Sequence, residues 1–520
     1  MIRRLQSPLI LIGLVVCIAV LAIYPASLEF GFHSEDFVFF RPFQAGDLWQ
    51  VMTGRWFDAP GAPYFYRPLS VFVHALEFYL FGLNPFPIHL ISVLIVAACG
   101  FLCGLYVMRE SESPGLGVMA AAVYTLHPAT TIAVGPWMAN QYQGLATICA
   151  LWALLLWRTR RDGPPRTWLP IALPLIMAGL FKENALMLPL VLVGAHWGMA
   201  RWATGVRPPT RAAWIAAVGL FVAMNTWRIV MLGNIGGYGN ETVWSALREL
   251  WRGPVYVLLT GREWTVANVT ASVLVSAVTL GVGWLTLRRV PLAGVRVAIV
   301  GFSLIAWCSL PLAIVPSRAR AYLVALGGAL VLAVGAYQAW THLRRARVVV
   351  AHGLLAVLMA SLWTTSLARL QTYAPCSEWT RFGDLWVLDD MAPYLPPEFV
   401  PWLRQRIRTC RPDAQERIVD SLPVATWHLP SGDKTILVPE RFARLQVRVR
   451  SEEASADHPI TIAVHVNGRT VTPVVLHSRE WIDVDVPLTP SWWNRLRRGH
   501  RIDIDAGTAE IEVVPDPPEL

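Results

Sequence analysis

The stretch Glu29-Phe30-Gly31-Phe32-His33-Ser34-Glu35-Asp36-Phe37, continued by Tyr66-Arg67-Pro68-Leu69, decides how the chain is interpreted. It lies between the first and second long apolar segments, so residues 28–84 are predicted to form a loop outside the membrane, with an amphipathic helix near 67–82. Two adjacent carboxylates, Glu35 and Asp36, stand where the chain leaves the first segment. A positioned carboxylate can take the proton of an attacking hydroxyl. We interpret Asp36 as a candidate general base and Glu35 as its neighbour; the alternative is a helix cap.

Composition places the chain among polytopic membrane proteins. Of its 520 residues, 55% are hydrophobic and only 15% are charged, and the mean hydropathy is +0.45. Soluble domains are about 25% charged. A net charge of +9 would suggest nucleic-acid binding in a soluble protein. Here most of the short arginine clusters lie in the loops between apolar segments, and no nucleic-acid module is predicted.

The apolar segments predict about eleven membrane spans, since a run of about 20 apolar residues crosses the hydrocarbon layer. They lie near residues 8–27, 85–108, 116–133, 141–157, 168–183, 185–200, 212–232, 267–287, 295–316, 320–340 and 348–368. Cytoplasmic loops carry an excess of Lys and Arg, and every short Arg cluster falls on one side if the N-terminus is inside. We therefore predict a bacterial inner-membrane protein with a cytoplasmic N-terminus and a periplasmic C-terminal domain. The first segment lacks a convincing cleavage site for a signal peptide.

The composition changes after residue 368. Residues 369–420 are predicted to form a helical linker, and residues 421–520 show short alternating strands with a hairpin signal at Asn467-Gly468. Evenly spaced short strands are typical of a β-sandwich. Cys376 and Cys410 are the two cysteines outside the spans, and we predict that they form a disulfide rather than two free thiols. The fold class is thus an all-α membrane domain, residues 1–368, followed by an extracytoplasmic β-sandwich.

Several further polar residues are predicted on the same outer face as the first loop. Lys182 and Glu183 form an ionisable pair inside an apolar hairpin, which is by default a functional hypothesis; the alternative is a mutual ion pair that fixes the turn. Arg318 and Arg320 precede the tenth span, where they either stabilise a phosphate leaving group or snorkel to the interface. The candidate substrate contacts are His127, Asn140, Gln141, Glu183 and Tyr322.

Common cofactor motifs are missing from the sequence. It contains no Walker loop, no GxGxxG, no HExxH and no CxxC zinc pair. ATP use, nicotinamide chemistry and zinc hydrolysis are therefore not indicated. No cofactor is predicted, and nothing indicates a divalent metal.

An ordered set of short motifs resembles the C-type (GT-C) glycosyltransferases, and within them the protein O-mannosyltransferase-like membrane proteins. The matching pieces are Ser34-Glu35-Asp36-Phe37, Tyr66-Arg67-Pro68-Leu69, Leu80-Phe81-Gly82-Leu83-Asn84-Pro85 with His89, Leu126-His127-Pro128, Phe181-Lys182-Glu183 and Arg318-Ala319-Arg320-Ala321-Tyr322. They span about residues 8–340. Asn140 and Gln141 stand where family members often have an Arg, which leaves the sugar and the acceptor open.

The resemblance implies transfer of a sugar from a polyprenyl-phosphate donor to a hydroxyl of a glycan, lipid or protein acceptor. Asp36 or Glu35 would be the catalytic carboxylate, and the anomeric carbon would be inverted. The donor phosphate would be bound by Arg320, Arg318, Lys182 and Arg67.

Two non-enzymatic classes compete with this interpretation. A lipid-linked sugar transporter needs polar residues in both halves of the membrane, whereas here they gather on the outer face. A membrane scaffold that presents the β-sandwich would tolerate Asp36→Asn, whereas an enzyme would lose activity.

Overall fold

The computed structural model describes residues 2–29, 49, 51–53, 66–81, 85–133, 141–161, 168–202, 206–232, 292–314, 322–346, 348–372, 434–438, 444–451, 453–466, 469–480, 482–487, 500–505 and 510–515. Some of the residues singled out above lie outside these ranges. They include Glu35, Asp36, Asn140, Arg318, Arg320, Cys376 and Cys410. The disulfide and the helical linker therefore stay predictions.

The described part of the N-terminal region is helical. Its helices are α1 Ile2–Ile23, α2 Pro68–Phe81, α3 Pro85–Ser111, α4 Pro114–Leu126, α5 Gln141–Arg160, α6 Leu169–Phe181, α7 Leu188–Trp202, α8 Arg211–Leu232, α9 Leu292–Ile314, α10 Tyr322–Ala346 and α11 Val348–Thr372. Short 3₁₀ segments follow three of them, at Pro25–Glu29, Pro128–Ala133 and Glu183–Met187.

Every predicted span that falls within the described residues is a helix, while the span at 267–287 lies outside them. Three of the described helices contain a segment both long and apolar enough to cross a membrane: Phe86–Ser111, Arg211–Leu232 and Tyr322–Thr341. Shorter apolar segments occupy α1, α2, α4, α6, α9 and α11. The helical region is therefore a membrane domain, as the composition predicts.

Helix α2 has a polarity opposite to that of a helix in a soluble protein. His74 and Glu77 are buried, and His74 Nδ1 lies 3.0 Å from Glu77 Oε2. Phe72, Leu76 and Tyr79 are exposed. The prediction of a helix near 67–82 is confirmed. An exposed apolar face is the arrangement that suits contact with lipid rather than water.

The break between α6 and α7 sets the position of the ionisable pair. Lys182 ends α6 with an extended backbone, φ −152° and ψ 130°, and its N–H still bonds to Ala178 O. The chain then makes the 3₁₀ segment before α7 begins at Leu188. Because the break interrupts an apolar hairpin, Lys182 and Glu183 lie between two helix ends rather than on a helix face.

The helices pack closely through small residues. Helix α9 packs against α10 and α7, and α4 packs against α1 and α10. A Cβ built on Gly327 of α10 would lie 2.5 Å from the carbonyl oxygen of Gly301 on α9. No side chain fits at that distance, so the glycines allow the two backbones to approach.

The chain divides into two compact units. The first contains the described parts of residues 1–27, 44–72 and 91–371, and the second those of residues 28–43, 73–90 and 372–520. The strands of the second unit are β1 Lys434–Val438, β2 Arg444–Arg450, β3 Ile460–Val466, β4 Arg469–Leu476, β5 Ile482–Pro487, β6 His500–Asp505 and β7 Glu510–Pro515.

These strands form two antiparallel sheets, one ordered β1-β6-β3-β4 and the other β5-β2-β7. Strands β3 and β4, which flank Asn467-Gly468, pair from Ile460 opposite Leu476 to Val466 opposite Arg469, with a register shift between Val464 and His465. The hairpin expected there is confirmed. In the second sheet Arg448 of β2 is opposite Asp483 on one side and Glu512 on the other. The strands match the sequence pattern, while their assembly into a sandwich stays a prediction.

Candidate functional site

The candidate site is built around the carboxylate of Glu183. Arg67 donates from Nε to Glu183 Oε2 and from Nη2 to Glu183 Oε1, both at 2.7 Å. Both side chains are buried. Two parallel bonds from a guanidinium to a carboxylate give the strongest and most directional kind of ion pair. Glu183 therefore fixes Arg67 in one orientation.

Lys182 provides a second cation at the same carboxylate. Its Nζ lies 3.3 Å from Glu183 Oε1, the oxygen that also accepts from Arg67 Nη2. The Lys182 side chain is only 1% exposed. Removing an ammonium from water costs several kcal/mol unless charge or dipoles compensate it. The ion pair between Lys182 and Glu183, which the sequence offered as the alternative to a functional role, is present, and Arg67 is its third member.

Tyr142 lies against both cations. The Arg67 Cζ and the Lys182 Nζ are each 4.7 Å from the centroid of its ring. Tyr142 is buried at the beginning of α5, directly after Gln141. A cation within about 6 Å of an aromatic face is attracted by the ring quadrupole, and more strongly where water is excluded. Tyr142 therefore stabilises the two cations without neutralising either.

A third cation reaches the cluster from α8. Arg228 is partly buried and interacts electrostatically with both Glu183 and Arg67. Among the described residues the cluster thus brings together three cations and one carboxylate. We call these four residues, together with Tyr142, the outer cluster.

Two sets of hydrogen bonds hold the outer cluster in place. Ser70 Oγ donates to Phe181 O at 2.9 Å, which ties the beginning of α2 to the end of α6. Tyr66 donates to Met52 O at 2.8 Å and accepts from Trp227 Nε1 at 3.1 Å. Burial raises the pKa of Tyr66 above its ordinary value of 10.0, against the opposing effect of the bond from Trp227. Tyr66 therefore keeps its proton and remains a donor.

The outer cluster joins helix ends that the Arg distribution predicts on one side of the membrane. It lies at the beginning of α2 and α5, at the end of α6 and near the end of α8. These positions come from separate parts of the sequence. Their meeting at one place agrees with the predicted topology and places the cluster at the predicted extracytoplasmic end of the helices.

A second ionic cluster, with the buried Glu110 at its centre, lies at the opposite end of α5. Glu110 accepts from Arg161 Nη1 at 2.9 Å, and Arg158 Nε lies 3.7 Å from its other oxygen. The Arg161 guanidinium also lies 5.3 Å from the Trp157 ring. We call these four residues the inner cluster. It joins the end of α3 to the end of α5, where the sequence predicts the cytoplasmic side.

Three of the candidate substrate contacts, His127, Tyr322 and Gln141, lie in the described part of the chain but are not members of the outer cluster. His127 is buried in its own turn, where its Nδ1 accepts from the Ala129 N–H at 3.1 Å. Tyr322 is buried edge-on against Tyr124, with ring centroids 6.2 Å apart. Gln141 is buried next to Tyr142. Their roles as substrate contacts stay predictions.

The remaining site residues stay predictions for another reason. Glu35 and Asp36, the candidate catalytic pair, lie outside the described residues. So do the predicted phosphate ligands Arg318 and Arg320, and the candidate sugar contact Asn140. Within the described ranges, no three His, Cys, Asp or Glu side chains are grouped so as to hold a metal ion.

Sequence reasoning overlooked Tyr142 and Arg228. Arg228 lies inside a predicted span, and an ionisable residue there is itself a functional signal. Tyr142 carried no comparable signal, because a tyrosine near a helix start is common at membrane interfaces. A second signal in the sequence concerns Lys182. The chain has 44 Lys and Arg residues, and Lys182 and Lys434 are its only lysines.

Comparison with protein-family models finds no match, and neither does comparison with curated proteins. Among solved structures, the chain is similar to ArnT from Cupriavidus metallidurans, crystallised with undecaprenyl phosphate. The two sequences are 16% identical, and the match covers 80% of this chain and 82% of that one, with a TM-score of 0.39.

Proposed function

We propose that this chain is an integral-membrane glycosyltransferase that transfers a sugar from a polyprenyl-phosphate donor to an acceptor hydroxyl on the extracytoplasmic face. The observation that supports it best is the outer cluster. It concentrates the buried cations Arg67 and Lys182, with the partly buried Arg228, where helices of a membrane domain end. The ordered motifs that resemble the GT-C family include two of these residues.

A phosphate leaving group explains why cations would be maintained at such a place. When the bond between the anomeric carbon and the phosphate oxygen breaks, negative charge develops on that oxygen. Preorganised cations in a site with little water stabilise this charge far better than they would in bulk solvent. No nucleotide is needed, since the lipid phosphate is already the leaving group.

The proposed roles within the outer cluster differ. Lys182 makes the closest electrostatic contact with the phosphate, because a compact ammonium presents three N–H donors. Arg67 is fixed by Glu183 and contributes its charge from a set position. Arg318 and Arg320, which precede α10 in the sequence, are proposed to bind the same phosphate.

The proposed chemistry is a single displacement with inversion. Asp36, with Glu35 beside it, removes the proton of the acceptor hydroxyl as its oxygen attacks the anomeric carbon. The bond to the phosphate oxygen breaks, and the lipid phosphate leaves with the electron pair. Removing a general base costs on the order of 10²–10⁴ in rate. His127, Asn140, Gln141 and Tyr322 are proposed contacts of the sugar or acceptor, and the resemblance favours a hexose such as mannose.

The test supplies the purified full-length chain with a polyprenyl-phosphate sugar or with the matching nucleotide sugar, and measures transfer to a panel of hydroxyl acceptors. The proposal expects transfer from the lipid donor alone, and its loss in the Asp36→Asn, Glu35→Gln double variant at unchanged protein level. Transfer from the nucleotide sugar alone, or full activity in the double variant, would refute it. Cells in which that double variant replaces the wild type without consequence would point to a scaffold.

A further inference from the structure

The two cations that touch Tyr142 are held in different ways. Arg67 makes two hydrogen bonds of 2.7 Å to Glu183. Lys182 Nζ lies at the longer distance of 3.3 Å from one oxygen of Glu183 and 4.7 Å from the centre of the Tyr142 ring. The ring is thus one of the groups that determine where the ammonium lies.

We propose that Tyr142 is a positioning residue that orients the Lys182 ammonium toward the anionic headgroup of the substrate. This inference rests on the proposed function and extends it, because it assigns the phosphate contact to one cation and names the group that holds that cation. Tyr142 acts through Lys182 and makes no bond to the reacting atoms.

An aromatic ring suits this role better than a second carboxylate. A carboxylate holds an ammonium by neutralising it, which lowers its attraction for a phosphate. A ring face attracts the same ammonium through its quadrupole and leaves the net charge unchanged. It also lowers the cost of removing the ammonium from water. Tyr142 can therefore help Lys182 to stay charged while it is buried.

The choice of lysine at this position supports the assignment. Of the 44 basic residues, only Lys182 and Lys434 are lysine, so arginine is the usual cation of this chain. A guanidinium is planar and spreads its charge over a fork, whereas an ammonium is a compact point charge on a flexible stem. A lysine held between a carboxylate and a ring keeps its charge at one point, and an ammonium binds a phosphate as such a point charge.

The experiment measures binding of farnesyl phosphate to the purified full-length chain in detergent, with farnesol as the matched lipid without phosphate. Tyr142→Leu removes the ring face, and we expect the Kd for farnesyl phosphate to rise about five- to thirtyfold. Tyr142→Phe keeps the ring and should restore most of that loss. Binding of farnesol should not change. With a polyprenyl-phosphate sugar as donor, Tyr142→Leu should raise KM more than it lowers kcat.

Each other outcome has a definite meaning. Unchanged binding in Tyr142→Leu would overturn the inference, and so would an equal loss in Tyr142→Phe, because the hydroxyl rather than the ring would then carry the role. Parallel loss of farnesol binding with a lower unfolding temperature would show a structural role and overturn it as well. If the ring dependence holds but no variant or wild-type chain transfers sugar, the positioning role stands and the proposed transfer reaction fails. A wild-type chain that binds farnesyl phosphate no better than farnesol overturns both.

Discussion

Arg67 and Glu183, 116 positions apart in the sequence, are joined by two hydrogen bonds of 2.7 Å between buried side chains. The pair fixes the beginning of α2 against the break between α6 and α7. Ser70 and Phe181 add a third bond at the same place, at 2.9 Å. The end of the first loop is therefore attached to the helix break that carries Lys182.

Removing the charge of Glu183 should destabilise the fold. In Glu183→Gln, Arg67 and Lys182 keep their burial and lose their carboxylate. Breaking a buried ion pair from one side costs about 3–5 kcal/mol. Thermal unfolding of the purified chain in detergent should show a clearly lower midpoint. Glu112→Gln, at an exposed carboxylate, is the matched control and should change the midpoint little.

Replacing Lys182 by Arg should reduce sugar transfer by on the order of tenfold to a hundredfold. The charge is retained, but the guanidinium cannot present the compact charge of an ammonium between Tyr142 and Glu183. Transfer from a polyprenyl-phosphate donor is the measurement. Lys434→Arg, at the other lysine of the chain, is the control. Equal activity of Lys182→Arg and the wild type would contradict a specific requirement for lysine.

The inner cluster should control stability rather than activity. Glu110→Gln leaves Arg161 and Arg158 without their shared carboxylate at the end of α5 that lies away from the outer cluster. We expect a lower unfolding midpoint, again by about 3–5 kcal/mol in free energy. Transfer per folded molecule should remain near the wild-type value. A specific loss of transfer at full stability would show that the two ends of α5 are functionally coupled.

Close packing of α9 and α10 predicts a contrast between two glycines on one helix. In Gly327→Ala the new methyl group would meet Gly301 O, whereas at Gly335 nothing lies within 4 Å. Overpacking typically costs about 1–3 kcal/mol. Gly327→Ala should therefore unfold at a lower temperature than the wild type, and Gly335→Ala should not. Equal midpoints for the two variants would indicate that α9 and α10 separate without cost.

The helices were predictable because each apolar run is long and its ends carry polar residues. Lys182 and Glu183 were predictable as a site for the same reason, since an ionisable pair within an apolar run is costly. The sequence predicts Arg67 and Glu183 on the same side of the membrane but not that they pair, because pairing across 116 positions depends on how α2 docks.

Other roles could not be deduced from the pattern. The positions of Tyr322 and His127 near helix ends predict substrate contacts, which stay predictions. In the structure Tyr322 packs against Tyr124, and His127 accepts a hydrogen bond from Ala129 within its own turn. Whether a polar residue at a helix end faces a cavity or its neighbours depends on how the helix is rotated about its axis. The sequence of a short, uniformly apolar helix carries little information on that rotation. Tyr142 was overlooked because its proposed role depends on the two cations that lie against its ring only in the folded chain.

The distance between the two ionic clusters along α5 can be compared with the thickness of a bilayer. Tyr142 and Arg158 are 16 positions apart on one helix, which corresponds to about 24 Å at 1.5 Å per residue. The hydrocarbon layer of a bilayer is about 30 Å thick. The distance between Tyr142 and Arg158 is a few ångström shorter than that layer, and a bilayer crossed by α5 would thin locally to match it. Under the proposed function, such thinning would bring the phosphate of a lipid donor closer to Lys182.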